Sequence, residues 1–100
     1  MNYYEQLRNR ARNLKNMYPE GTRVECISME DPYSPVPSGT RGTVVAVDDM
    51  ATIHVSWDNG SGLGLVVGED RFRKLTQEEV EAEQQTPDEP TEDDGFGMTM

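Results

Sequence analysis

Ile53-His54-Val55-Ser56-Trp57-Asp58-Asn59-Gly60-Ser61-Gly62-Leu63-Gly64-Leu65 is the stretch whose reading decides the fold of this chain. Apolar and polar residues alternate on both sides of Asp58-Asn59-Gly60, the pattern of two half-buried strands around a turn. Asn59-Gly60 by itself favours a two-residue loop. That register sets Val55 opposite Gly64 and puts Leu63 and Leu65 on the face of His54 and Ser56, so half of the apolar residues meet water. A three-residue loop, Asp58-Asn59-Gly60, with Gly60 in the left-handed conformation as a bulge, shifts the pairing by one. Trp57 then faces Ser61, Val55 faces Leu63 and Ile53 faces Leu65. Their apolar side chains now share one face. A one-residue slip inverts every side chain, so burial selects this register.

The same face extends backwards. Residues 42–47 and 52–57 read as strands around an Asp48-Asp49 turn, and a five-residue loop between Val47 and Ile53 places Val45 and Val47 on the buried side. Residues 22–29 read as an earlier strand, with Val24 and Cys26 on one face and Arg23 and Glu25 on the other. Between them runs Glu30-Asp31-Pro32-Tyr33-Ser34-Pro35-Val36-Pro37-Ser38-Gly39. Its prolines rule out a central strand and stiffen the loop. After a Gly68-Glu69-Asp70-Arg71 turn, Phe72 and Leu75 close a short fifth strand. Gly62 and Gly64 are read as room for bulky neighbours. Five short strands with one long loop and tight hairpins predict a mainly β fold, a small SH3-like barrel over residues 18–75. Closure also removes exposed edges. An OB-like barrel is the alternative, and it wants longer strands.

Two appendages flank this unit. Tyr3, Leu7, Ala11, Leu14 and Tyr18 recur at steps of three to four, predicting an amphipathic basic helix over residues 1–17. Asn2 is a candidate cap, and Tyr18-Pro19 ends the helix. So short a helix needs a surface to pack on, and the barrel is the expected one. Residues 76–100 hold nine acidic residues and no Lys or Arg. Thr76 can cap a short helical stretch through Val80, with Glu78 and Glu79 in its first turn. Beyond that, the acidic, proline-bearing composition predicts a disordered tail.

The net charge of −10 is therefore unevenly spread. Residues 1–75 carry nine basic and ten acidic groups, a net −1. A positive surface for nucleic acid would need Arg8–Lys15 to adjoin Arg71, Arg73 and Lys74, and the acidic tail would compete for it, so direct nucleic-acid binding is not expected. Cys26 is the only cysteine, which excludes an internal disulfide and fits a reducing, cytoplasmic setting. No apolar run approaches the length of a membrane span, and the N-terminus has no apolar signal region.

Catalytic and metal-binding patterns are weak. His54 and Cys26 are the sole residues of their kinds and fall in separate strands, His54 exposed and Cys26 in the core. Asp48, Asp49 and His54 lack the spacing of a zinc or calcium site. Gly60-Ser61-Gly62-Leu63-Gly64 lacks the lysine and helix start of a phosphate loop. No enzyme activity, cofactor or metal is expected. A protein-binding surface remains: Tyr33 among its prolines, with Pro35, Val36, Asp58, Asn59 and Asp70 flanking it. A rigid loop presenting an aromatic is a contact of low entropic penalty. Tyr33 packing back as a lid is the equal alternative. Trp57 is read as core.

Tyr18-Pro19, Gly21-Thr22-Arg23-Val24, Asp31-Pro32-Tyr33, Pro35-Val36-Pro37, Gly42-Thr43-Val44, Val47-Asp48-Asp49, Trp57-Asp58-Asn59-Gly60-Ser61 and Phe72 together resemble a small bacterial and phage family, domain of unknown function 4314. The resemblance spans about residues 18–75 and leaves out the helix and the tail. It implies an SH3-like barrel carried on mobile elements, and no known activity, ligand or catalytic residue. It also implies glycine in the turn near Ala51. Three functions follow as expectations: a non-enzymatic module contacting a protein partner, an acidic mimic of nucleic acid inhibiting a defence nuclease, and a small-ligand sponge.

Overall fold

The structure, a computed structural model, describes residues 2–85. Helix α1 spans Tyr3–Met17. Its start is a capping box: the Asn2 side chain accepts from the Glu5 backbone N–H at 2.8 Å, and Glu5 accepts from the Asn2 N–H at 3.2 Å. Ala11 and Leu14 are buried, with Leu7 and Tyr18 packed beside them. The helix thus packs on the sheet, as its stripe requires, although Tyr3 at the head of that stripe is exposed.

Five strands follow: β1 (Arg23–Ser28), β2 (Arg41–Val47), β3 (Thr52–Trp57), β4 (Leu65–Val66) and β5 (Arg71–Lys74). All pair antiparallel, in the order β4-β3-β2-β1-β5. The core gathers Val24, Cys26, Val44, Val47, Ile53, Val55, Trp57 and Leu65 from the inner face, with Leu75 buried as β5 ends. Tyr18 closes it from the helix side against Phe72, ring centroids 5.4 Å apart.

The deciding hairpin has the three-residue loop. Trp57 N–H donates to the Ser61 carbonyl at 3.0 Å, Gly60 N–H donates to the Trp57 carbonyl at 2.9 Å, and Ile53 pairs with Leu65. Gly60 has φ +94°, the left-handed conformation of the bulge. The Trp57 indole N–H is satisfied by the Leu63 carbonyl at 2.8 Å. Gly64 does make room, for the Thr52 methyl, whereas Gly62 meets no neighbour. Gly42, not singled out by sequence, is the tightest: a Cβ there would lie 2.6 Å from Val55 Cγ1.

Three expectations need correction. A bulge between Val44 and Ala46 puts both Val44 and Val47 inward, so Val45 turns out to solvent, 51% exposed. The connection after β2 is a second three-residue loop, Asp49-Met50-Ala51, closed by Asp48 N–H to Thr52 O at 3.0 Å. Ala51 takes φ +66° there, the position where glycine would be relaxed. The sheet is also not seen to close. The edge strands β4 and β5 share no ladder, only an isolated bridge between Val67 and Asp70. The Asp70 side chain accepts from the Val66 N–H at 2.9 Å and ends the β4 edge.

The acidic segment expected to be disordered begins as helix α2, Gln77–Gln84. Thr76 is its cap, in a capping box with Glu79. The helix runs one turn past Val80. The remainder of the tail, 86–100, lies outside the described residues.

Candidate functional site

The loop between β1 and β2 is tied down along its length. Cys26 N–H donates to Thr40 O at 2.8 Å, and Gly39 N–H donates to Cys26 O at 2.7 Å, so the loop leaves the sheet as a continued hairpin. Val36 tucks under it, 3% exposed, its carbonyl accepting from the Cys26 thiol at 3.4 Å. Val36 is therefore core rather than contact surface. Asp70 reaches across from the β4–β5 turn, accepting from the Glu30 N–H at 2.8 Å. Asp31 accepts from the Tyr33 N–H at 3.0 Å, a local turn that orients the next side chain. Tyr33 itself stands 92% exposed, beside exposed Pro35. At that exposure Tyr33 does not pack back on the sheet as a lid.

The hairpin tip serves another purpose. Asn59 accepts from the Ser61 N–H at 3.0 Å and braces its own turn. Asp58 takes both Nη groups of Arg23, at 3.0 and 2.7 Å. No hydrogen bond or ion pair among the described residues joins this tip to the Tyr33 loop. The six residues expected as one surface thus divide into an exposed pair (Tyr33, Pro35), a buried support (Val36), a brace (Asp70) and a separate tip (Asp58, Asn59). Asp70 also borders an apolar groove of about 480 Å³ between α1 and β5, lined by Leu14, Met17, Tyr18, Ile27 and Phe72 among others.

The outer face of β2, β1 and β5 is ionic. Arg41, Arg23 and Arg73 project from neighbouring strands. Arg23 holds Asp58 and also grips Glu83 of α2, Nε to Oε1 at 3.0 Å and Nη2 to Oε2 at 2.7 Å. Arg73 grips Glu79 with two bonds of 2.8 and 2.6 Å and reaches Glu25 at 2.9 Å. Arg41 lies between, 3.2 Å from Glu83, 3.7 Å from Glu79 and 3.6 Å from Glu25. Such two-pronged pairs are the strong form of ion pairing. Asp58 and then Glu83 raise the pKa of Arg23 further above its already high value. Arg73, then the Thr76 N–H, hold Glu79 down to about 2. Sequence reasoning missed this network. Its traces are Arg23 and Glu25 on the non-core face of β1 and the Thr76-x-x-Glu79 cap, which start a helix just where the sheet ends.

Elsewhere the polar chemistry is structural. Asp48 accepts from the Met50 and Thr52 N–H groups and bonds His54 Nε2 at 2.8 Å, while Asp49 faces Lys15 at 3.4 Å. The residues weighed together as metal ligands therefore separate into a turn brace and a helix contact. Among the described residues no group of three metal-ligating side chains converges. Cys26 is fully buried, and that burial raises its pKa, opposing the nucleophilic thiolate. No helix among the described residues is long and apolar enough to cross a membrane.

A family model described as "Domain of unknown function (DUF4314)" matches residues 7–75. The chain belongs to this family. The DUF4314 match begins inside α1, at Leu7, so most of the helix is part of the family's domain rather than an appendage to it. It ends at Leu75, the last core residue before α2. The description attaches no activity to the family. No curated protein and no solved structure matches the chain.

Proposed function

We propose that this domain is a non-enzymatic binding module of SH3-like class, from a phage or mobile element and acting in the cytoplasm, that contacts a protein partner through Tyr33. The order β4-β3-β2-β1-β5, with the long loop after the first strand and tight turns thereafter, supports the SH3-like reading. The observation that carries the function is Tyr33, almost fully exposed on a loop whose base is held by Val36, Asp70 and the bonds to Cys26. An isolated aromatic on a flexible loop would lose conformational freedom on binding. Here that ordering is already done, so burial of the ring in a partner pocket appears as affinity. Pro35 stiffens the same presentation.

The test is a pull-down from nuclease-treated bacterial lysate with the full chain and with Tyr33→Ala. The expected outcome is a prey held by the wild type and weakened at least tenfold by the substitution, the scale of an aromatic anchor, with thermal unfolding unchanged. A prey indifferent to Tyr33→Ala overturns this reading. The alternative of an acidic nucleic-acid mimic draws less support, because Glu25, Glu79 and Glu83 face arginines of the same chain.

A further inference from the structure

We propose that the face formed by Arg23, Arg41 and Arg73 is a second binding site, one for an acidic helix of a partner protein, and that α2 occupies it in cis. This site is distinct from the Tyr33 loop and does not rest on it.

The geometry is that of a receptor and a seated ligand. Two glutamates one helical turn apart, Glu79 and Glu83, enter three guanidinium groups set on adjacent strands. Val80 lies half-covered beside them, and no residue of α2 is buried. The helix is held almost wholly by charge. At eight residues it is too short to be stable in isolation.

The sheet does not depend on it. Without α2, Arg23 keeps Asp58 and the Thr43 hydroxyl, and Arg41 and Arg73 keep Glu25. Each cation retains a partner, so no orphaned charge forces α2 to stay. Three cations then face two carboxylates, and the surplus positive charge still attracts an acid. The pattern selects the kind of acid. Glu25 and Asp58 sit among the arginines and repel a chain charged at every unit, such as a phosphodiester backbone. A helix offering two carboxylates at i and i+4 with an apolar residue between meets the forks and avoids those acids.

The experiment uses full-length protein at low salt and fluorescence anisotropy. One probe is a labelled alanine-rich helical peptide of about 20 residues, long enough to hold a helix alone, carrying Glu, Val and Glu at i, i+1 and i+4. The other is a labelled single-stranded oligothymidine of similar length. Glu79→Gln/Glu83→Gln releases α2 and should bind the peptide at least about tenfold more tightly than wild type, since the competent state is no longer hidden. Adding Arg73→Gln should abolish the gain. No gain in a folded double variant, or tighter binding of the oligonucleotide than of the peptide, overturns the proposal. So does unfolding of the double variant, which would make α2 part of the fold rather than a displaceable ligand.

Discussion

Ala51 and Gly42 show how much single residues matter in a core this small. Ala51 holds φ +66° with its methyl buried. A left-handed residue with a Cβ is strained by about 1–2 kcal/mol, while its buried methyl returns about 0.8 kcal/mol. Ala51→Gly should therefore shift stability by no more than about 1 kcal/mol. Ala51→Val should be severe, because a branched Cβ is a true outlier in that region. A loss of about 2 kcal/mol or more, read as a melting point lowered by some 4–8 °C per kcal/mol, is expected from thermal unfolding. Gly42→Ala pushes a methyl to within 2.6 Å of Val55, 2.8 Å of Trp57 and 3.0 Å of the Ser56 carbonyl. Overpacking against backbone should cost about 1–3 kcal/mol, checked by the denaturation midpoint. Neither site was legible beforehand in full. The left-handed turn position was flagged only by the expectation of glycine near Ala51, and Gly42 looks like any strand residue until β3 is laid against it.

At the scale of elements, alternation and turn chemistry made the β3–β4 register readable to the residue, because only one register buries Ile53, Val55, Trp57, Leu63 and Leu65 together. Bulges were not readable. The extra residue between Val44 and Ala46 leaves the composition of β2 unchanged, so alternation alone puts Val45 inside when it lies outside. Helix α2 was half legible: its cap and the Arg73–Glu79 pair are local, but the rest of its docking depends on Arg41 and Arg23, 42 and 60 positions before Glu83. Its pH response follows from the ion pairs. Arg73 holds Glu79 down to about 2, and Arg23 holds Glu83 below the ordinary value of 4.5. A carboxylate with a lower pKa when docked adds stability above its free value, and that stability is lost as pH falls through the docked value. Docking of α2 should be intact above about pH 4.5 and vanish on acidification toward pH 2. The Val80 amide chemical shift, followed by NMR, checks this, and Glu79→Gln/Glu83→Gln should flatten the titration.

For the molecule as a whole, Cys26 is a built-in reporter of unfolding. It lies on β1, between β2 and the edge strand β5, fully buried, with its thiol pKa raised by that burial. A thiol reagent at low concentration should label the native protein only through the small population in which the whole domain is open. Substitutions such as Gly42→Ala should then raise the logarithm of the labelling rate in proportion to lost stability. Labelling as fast as a free thiol would show that the sheet opens locally around β1. Fold class was legible because periodicity and turns are properties of neighbours in sequence. Whether the two edges meet was not, since that depends on how far the sheet coils and where Asp70 ends β4. The surface of Tyr33 was legible as a loop rich in proline, yet its division from Asp58 and Asn59 was not, because Arg23 had to be seen to claim Asp58.

The sheet has carbon on one side and ions on the other, so its two faces answer to different solvents. Sulfate and chloride at equal ionic strength both screen the arginine side and loosen α2. Sulfate in addition strengthens apolar burial and should raise the melting temperature of the sheet beneath. Cooling acts in reverse on the carbon side, where the driving force fades with temperature. A cold, dilute buffer and a warm, sulfate-rich one would thus favour opposite forms of one chain: helix clasped over a weakened sheet, or helix released from a strengthened one.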